Sequence, residues 1–211
     1  IPLGLYSASN NVFRYSVNLD KWDDKWKNIR NNNSLPIWDN GSPTKATQYL
    51  NDLCPTLPPI RDNKQIRTYR VFVPLCGAST DLKYLGDWFK NKVDTSKNPK
   101  NYKLKIIGID SSSNAIEYFM DKIDDRPEYI KSNDDNFPES YQMFFDEFSK
   151  IPAYKSNPYY IINSDIFHAS SQRLILRADC IYDNNSLSFI PPNLRKRYVN
   201  LISKIIRTKG K

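Results

Sequence analysis

"VFVPLCGAS", residues Val71–Ser79, reads as the end of a buried strand, a sharp turn at Gly77 and the start of a helix. A dinucleotide-binding turn carries three glycines at such a place, so that backbone can reach a pyrophosphate. Here there is one. Outward from this unit the same alternation continues. "YRVFVPL" is an apolar strand, and "STDLKYLGDWFKNK" is a helix with Leu82, Leu85, Trp88 and Phe89 on one side. "YKLKIIGID" is a second strand, followed by the helix "SSNAIEYFMDKIDD" with Ser112 or Ser113 as N-cap. "PYYIINSDIF" and "ADCIYDNNSL" are a third and a fourth strand, and "PPNLRKRYVNLISKIIR" is an amphipathic helix. Such alternation makes right-handed βαβ units, so the fold class is α/β, Rossmann-like and doubly wound around a mostly parallel sheet. Both faces of that sheet are covered, which explains near-continuous apolar runs such as residues 105–109. Between the second helix and the third strand lies a long mixed insertion, with a helix expected over 138–148.

The rest of the chain is organised around this core over residues 66–211. Residues 1–60 form an N-terminal helical lid. In "NLDKWDDKWKNI" one helical turn separates Trp22 from Trp26, so both face the same way. A polar loop, "RNNNSLPIWDNGSPT", then places Trp38 among Pro and Gly breakers. A helix opening at Ser42, Pro43 or Thr44 is expected to carry Ala46, Tyr49, Leu50 and Leu53 toward the core. After the last helix a fifth strand is due, yet the sequence stops at "RTKGK". The core therefore reads as truncated, with its C-terminal strands missing. Such a chain is expected to self-associate and to turn over little, whereas the full-length protein is expected to be a monomer. No initiator Met opens the sequence, which reads as a fragment or a processed end.

Composition narrows the function classes. The 211 residues are 39% hydrophobic and 26% charged, enough for one domain with a substantial core. No run of about 18 apolar residues points to a membrane span, and the N-terminus lacks a signal-peptide pattern. Cys54, Cys76 and Cys180 are odd in number and far apart, matching neither a disulfide framework nor a zinc site. A reducing, cytoplasmic compartment is expected. The net charge of +8 is scattered rather than gathered with aromatics, so no nucleic-acid partner is expected. No metal-ligand cluster is visible, and the single His168 reads as a surface side chain.

In open parallel sheets ligands bind beyond the carboxyl ends of the strands. Those ends are Leu75-Cys76-Gly77, Asp110, Asp165-Ile166 and Asp183-Asn184. The span from Gly77 to Asp110 exceeds the ~20 residues of a dinucleotide fingerprint. Even so, an acid ending the strand beside a Gly turn can accept hydrogen bonds from both hydroxyls of a ribose. Asp165 on the next strand could take the amino group of a purine. One glycine lets backbone approach a ligand without cradling a phosphate. Together these suit a nucleoside bearing no phosphate, and the common cofactor of that description is S-adenosylmethionine. Taken singly each signal has a plainer reading: Gly77 as a mere turn, each Asp as a helix cap, the Trp pair as core. Their placement on successive strand ends favours the ligand.

"RVFVPLCGASTDLKYL", "IIGIDSSSNAIEYF", "SDIF" and "YDNNSLSFIPPNLRKRYV" resemble the thiopurine S-methyltransferase family, which includes thiol and halide methyltransferases. "LDKWDDKW" is similar to that family's tandem-Trp helix, and "PIWDNGSPT" looks like the W-D-x-G stretch of its thiol and halide branch. The resemblance implies a single S-adenosylmethionine-dependent methyltransferase domain. It gives Leu75 and Gly77 to the cofactor-binding turn and Asp110 to the ribose. It gives Asp165 and Ile166 to the adenine, and Trp22 and Trp26 to a helix closing over the cofactor. Trp38 falls where the family lines its substrate pocket, as do Asp183 and Asn184. In the thiopurine branch an Arg follows the Asp of the fourth strand; here Asn184 stands there, which removes a cation suited to an anionic aromatic thiol. The expected reaction is methyl transfer to a small thiol, or a halide-like nucleophile, with no dedicated catalytic base. Two other readings remain: a cofactor-binding module without catalysis, and an NAD-dependent oxidoreductase, which the single glycine disfavours.

Overall fold

Strand β1 (Arg67–Pro74) and strand β2 (Tyr102–Asp110) pair in parallel, with Arg67 opposite Tyr102 and Pro74 opposite Ile109. A computed structural model describes residues 19–36, 39, 41–53, 57, 66–97, 99–123, 128–130, 153–171 and 177–207. The expected helix over 138–148 lies outside them, as do Trp38 and Cys54. The period-two rule sorts the central strands. Tyr69, Val71, Val73 and Ile106 pack on one side with Leu82, Leu85, Phe89, Ile116 and Phe119. Phe72, Ile107 and Ile109 pack on the other with Phe167, Tyr198, Leu201 and Ile205. The first group of helices is α3 (Thr80–Asp94) and α4 (Ser113–Lys122); α3 is capped by Ser79 and α4 by Ser112. The second group is α5 (Ile166–Ser171) and α7 (Arg195–Ile205). Helices on both faces of a mostly parallel sheet make the fold α/β, doubly wound and Rossmann-like.

The sheet has six strands among the described residues, in the order β3-β4-β5-β2-β1-β6. Strand β5 (Tyr159–Asn163) is parallel to β2, and β6 (Cys180–Ile181) is parallel to β1. The short strands β3 (Glu128–Ile130) and β4 (Ala153–Ser156) add an antiparallel edge inside what reads from sequence as insertion. Beyond α7, Ile206 makes a parallel bridge to Ala178, at the flank of β6. The chain runs outward from β1 through β2 to β5 and then returns to β6 on the far side of β1. That reversal is a topological switch point, and it lies at the carboxyl end of β1.

Two N-terminal elements cover this end. Helix α1 (Leu19–Asn31) packs through Trp26 and Ile29 on Ala115 and Tyr118 of α4. Asp23 fixes it there, accepting hydrogen bonds from the Ser112 hydroxyl at 2.7 Å and the Asn114 side-chain amide at 2.8 Å. Arg30 adds ion pairs to Glu117 and Asp121. The segment after Thr44 is a 3-10 turn, Lys45–Tyr49, followed by the one-turn helix α2 (Leu50–Leu53). It therefore differs from the single helix expected: Leu50 is buried, but Tyr49 is 59% exposed. The cause is local. Thr44 does not cap the turn with its side chain, because its hydroxyl is bonded to Asp81 instead.

Candidate functional site

The turn after β1 contains two left-handed residues, Leu75 (φ +45°) and Gly77 (φ +50°). For a leucine this conformation is unfavourable by about 1–2 kcal/mol, and such outliers gather at functional sites. Gly77 meets a second constraint, since a Cβ there would sit 3.0 Å from Trp26 Cζ2. Its N–H donates to Asp110 Oδ2 at 2.8 Å, and the Ser112 N–H donates to Oδ1 at 2.9 Å. Asp110 thus ties the ends of β1 and β2 together. Each of its oxygens keeps a lone pair for a further donor. Burial pushes this carboxyl above its ordinary pKa, against the lowering effect of the Ser112 and Gly77 amides. Cys76 beside it is buried, and burial together with the Asp110 charge raises its thiol well above the usual range. It is a packing residue and no nucleophile.

A cavity of about 330 Å³ opens at this switch point. Trp22, Trp26, Leu75, Gly77, Asp110, Asp165, Ile166 and Asn184 all line it. Asp165 caps α5, accepting from the Phe167 and His168 amides on Oδ1. Asp183 lies outside the lining: its Oδ1 accepts from the Ser186 N–H at 3.0 Å and its Oδ2 from the Tyr198 hydroxyl at 2.6 Å. Trp38 is not among the described residues. His168 is half-buried on α5 and does not line the cavity. No group of three or more His, Cys, Asp or Glu is placed to hold a metal among the described residues.

Sequence reasoning missed a polar wall on the side of the cavity facing β6. Asp81, 2% exposed, accepts from the Thr44 N–H (2.8 Å), the Thr44 hydroxyl (2.9 Å), the Tyr182 hydroxyl (2.7 Å) and the Asn184 amide (3.0 Å). Asp39 accepts from the Thr80 N–H at 3.0 Å and from the Gly41 N–H at 2.9 Å. These two carboxylates tie Asp39 and Thr44 to the first turn of α3. The only legible signal was the position of Asp81 in that first turn, which reads as ordinary helix chemistry. On the opposite rim Phe189 closes the one-turn helix α6 (Ser186–Phe189) and meets Trp22 edge-to-face, ring centroids 5.5 Å apart.

The ionisable lining residues are Asp39, Asp81, Asp110, Asp165, Cys76 and Tyr182; no Lys, Arg or His is among the described ones. A chain of net charge +8 therefore surrounds an acidic cavity.

The thiopurine S-methyltransferase (TPMT) family model matches residues 17–211. The chain belongs to the thiopurine S-methyltransferase family. A thiopurine S-methyltransferase of Pseudomonas aeruginosa (strain UCBPP-PA14) is 24% identical over 143 residues, 67% of this chain and 50% of that one. One of Vibrio campbellii (strain ATCC BAA-1116) is 28% identical over 164 residues, covering 77% and 61%. One of Stutzerimonas stutzeri (strain A1501) is 27% identical over 137 residues, covering 65% and 45%. The chain spans about half the length of the curated relatives it matches. Among solved structures, one described as "Conversion of a Disulfide Bond into a Thioacetal Group during Echinomycin Biosynthesis" overlaps 82% of this chain and 50% of its own, at 16% identity and a TM-score of 0.43. Within this thiopurine S-methyltransferase family member, the Gly77 turn carries a direct test. Gly77→Ala introduces left-handed strain that glycine does not carry and presses a methyl on Trp26, so it should lower stability by about 1–2 kcal/mol or more. Thermal unfolding of the folded variant checks this, and an unchanged midpoint would refute the close approach of Trp26.

Proposed function

We propose that the chain binds S-adenosylmethionine in this cavity and transfers its methyl group to a small thiol. The observation that carries the reading is the Asp110 carboxylate, bonded to the Gly77 amide at the carboxyl ends of adjacent parallel strands and open to the cavity. The residues present fit the cofactor. Its net charge is positive, and the lining is acidic. A cavity of about 330 Å³ falls in the range of small-molecule sites, roughly 300–1,000 Å³. Asp110 would accept from the ribose hydroxyls, and Asp165 would take the adenine amino group on Oδ2. Leu75 and Gly77 would supply backbone at the amino-acid end. When bound, the cofactor supplies a methyl group made electrophilic by a sulfonium.

The chain's own contribution is orientation and exclusion of water. Trp22, Trp26 and Phe189 give the mouth an apolar, aromatic wall. In such a setting a thiolate meeting a sulfonium reacts faster, because opposite charges are lost in the transition state, and alignment of the two reactants lowers the barrier further. The acidic lining suits a thiol that enters neutral better than a free halide-like anion. The thiol gives its proton to water before its thiolate displaces the methyl group from the sulfonium, which leaves as a neutral thioether. A second reading, a cofactor-binding module without turnover, is favoured by one detail: the Asn184 amide is tied to Asp81 and Thr44, so it offers an acceptor no cation.

Calorimetry separates these classes. S-adenosylhomocysteine should bind with one site per chain, and NAD should not bind. A panel of small thiols with S-adenosylmethionine then tests transfer. Binding with no methylated product from any thiol would leave the module reading standing; tight NAD binding would sink both.

A further inference from the structure

Phe189 is a large apolar side chain left 45% exposed at the rim of the cavity. Its position is built with care from both sides. Asn185, at φ +64°, turns the chain into α6, and Asp183 caps that helix at the Ser186 N–H. The buried Ser186 hydroxyl donates to the Pro74 carbonyl at 3.0 Å, so α6 is tied to the end of β1. Ile190, next to Phe189, is buried in the core. Across the mouth stands Trp22 on α1, a helix that Asp23 and Arg30 fix to α4. The Lys25 ammonium lies 4.9 Å over the Trp22 ring and restrains its orientation. Two aromatics on anchored helices therefore meet over the opening, at 5.5 Å and 85°. Edge-to-face pairs are attractive yet weak enough to part readily.

We propose that the Trp22–Phe189 pair is the gate of the cavity and that Phe189 sets the size of acceptor admitted. Small unbranched thiols pass beneath the pair; thiols bearing fused rings are excluded. The acceptor part of this inference rests on the thiol methyltransferase reading above, whereas the gate does not. Phe189 does not take part in the chemistry. It acts by occupying space at the entrance and by its contact with Trp22.

Phe189→Ala and Phe189→Tyr provide the test, each first shown to be folded by its thermal unfolding transition. In Phe189→Ala the ratio of kcat/KM for 2-naphthalenethiol over that for 2-mercaptoethanol should rise by about tenfold or more, the scale of added pocket space. Phe189→Tyr should keep the wild-type ratio, since its ring still spans the mouth. Stopped-flow tryptophan fluorescence gives the second readout. Association and dissociation rates of S-adenosylhomocysteine should rise together in Phe189→Ala, by about threefold or more, with Kd little changed. A packing role alone would move Kd or the unfolding midpoint instead. If no thiol is methylated by either protein, the thiol reading fails while the exchange rates still decide the gate. Unchanged exchange rates, or no binding of S-adenosylhomocysteine to either protein, overturn the gate, and an unchanged substrate ratio overturns the size selection.

Discussion

Asp81→Ala should destabilise the protein more than any other single change at the site. The carboxylate is 2% exposed and gathers four donors from two separate segments: Thr44 twice, and Tyr182 with Asn184. Alanine removes the shared acceptor and leaves those donors facing one another at the wall of the cavity. A buried polar group without a partner is unfavourable by about 1–3 kcal/mol. Water entering from the cavity would satisfy some of them, so the expected total is roughly 3–5 kcal/mol. That is a large fraction of the 5–15 kcal/mol by which a domain is usually stable. For a chain of this length it corresponds to a fall in Tm of roughly 6–20 °C. Asp81→Asn should do less damage, since one carbonyl oxygen still accepts, but its amide would oppose the Asn184 amide. Differential scanning calorimetry on the three proteins decides the matter. A shift below about 3 °C in Asp81→Ala would mean that the donors find other partners.

Why Asp81 escaped sequence reasoning, while Asp110 did not, follows from where their partners lie. Asp110 and Gly77 belong to strand ends, and the βαβ rule alone puts adjacent strand ends together. The partners of Asp81 come from an irregular loop at Thr44 and from beyond β6 at Tyr182 and Asn184, and no periodicity links those segments. Asp183 differs from both in its place. Its place after a strand suggests a ligand, yet its carboxylate braces α6 and Tyr198 and lies outside the cavity lining. Strands β1 and β2 were legible because they are buried on both faces and so run nearly apolar. Strands β3 and β4 were not, being three and four residues long and containing Glu128 and Lys155. Strand β6 is only two residues, and its alignment comes from neighbours: Asp179 accepts from the Arg70 N–H at 2.9 Å and pairs with Arg67 and Arg207. Tyr49 failed inward because helical spacing was applied to a 3-10 turn, where three residues rather than 3.6 make a turn.

Removing the Asp110 carboxylate should nearly abolish cofactor binding while leaving the sheet intact. On the proposed reading Asp110→Ala deletes an acceptor for both ribose hydroxyls, and hydrogen bonds to a charged group contribute about 1.5–3 kcal/mol. The expected loss in affinity for S-adenosylhomocysteine is therefore roughly ten- to 150-fold by calorimetry. The same variant frees the Gly77 amide, which then faces the cavity and can be met by water, so the fold should survive. A pH series adds a check that no merely structural role would pass. Burial holds the Asp110 carboxyl above the ordinary carboxylate range. Its folded pKa is thus higher than its unfolded one, so its contribution to stability is full below the unfolded value and is lost as pH rises through the folded value. Ligand binding runs the other way. On the proposed reading ribose hydroxyls donate to the ionised form, so affinity should fall as pH is lowered through that raised pKa. Asp110→Asn keeps one acceptor and cannot ionise. It should bind weakly at every pH, and the pH dependence of binding should disappear. If wild type and Asp110→Asn lose affinity in parallel on acidification, the titrating group lies elsewhere and Asp110 is a brace for the Gly77 turn rather than the anchor of a ribose.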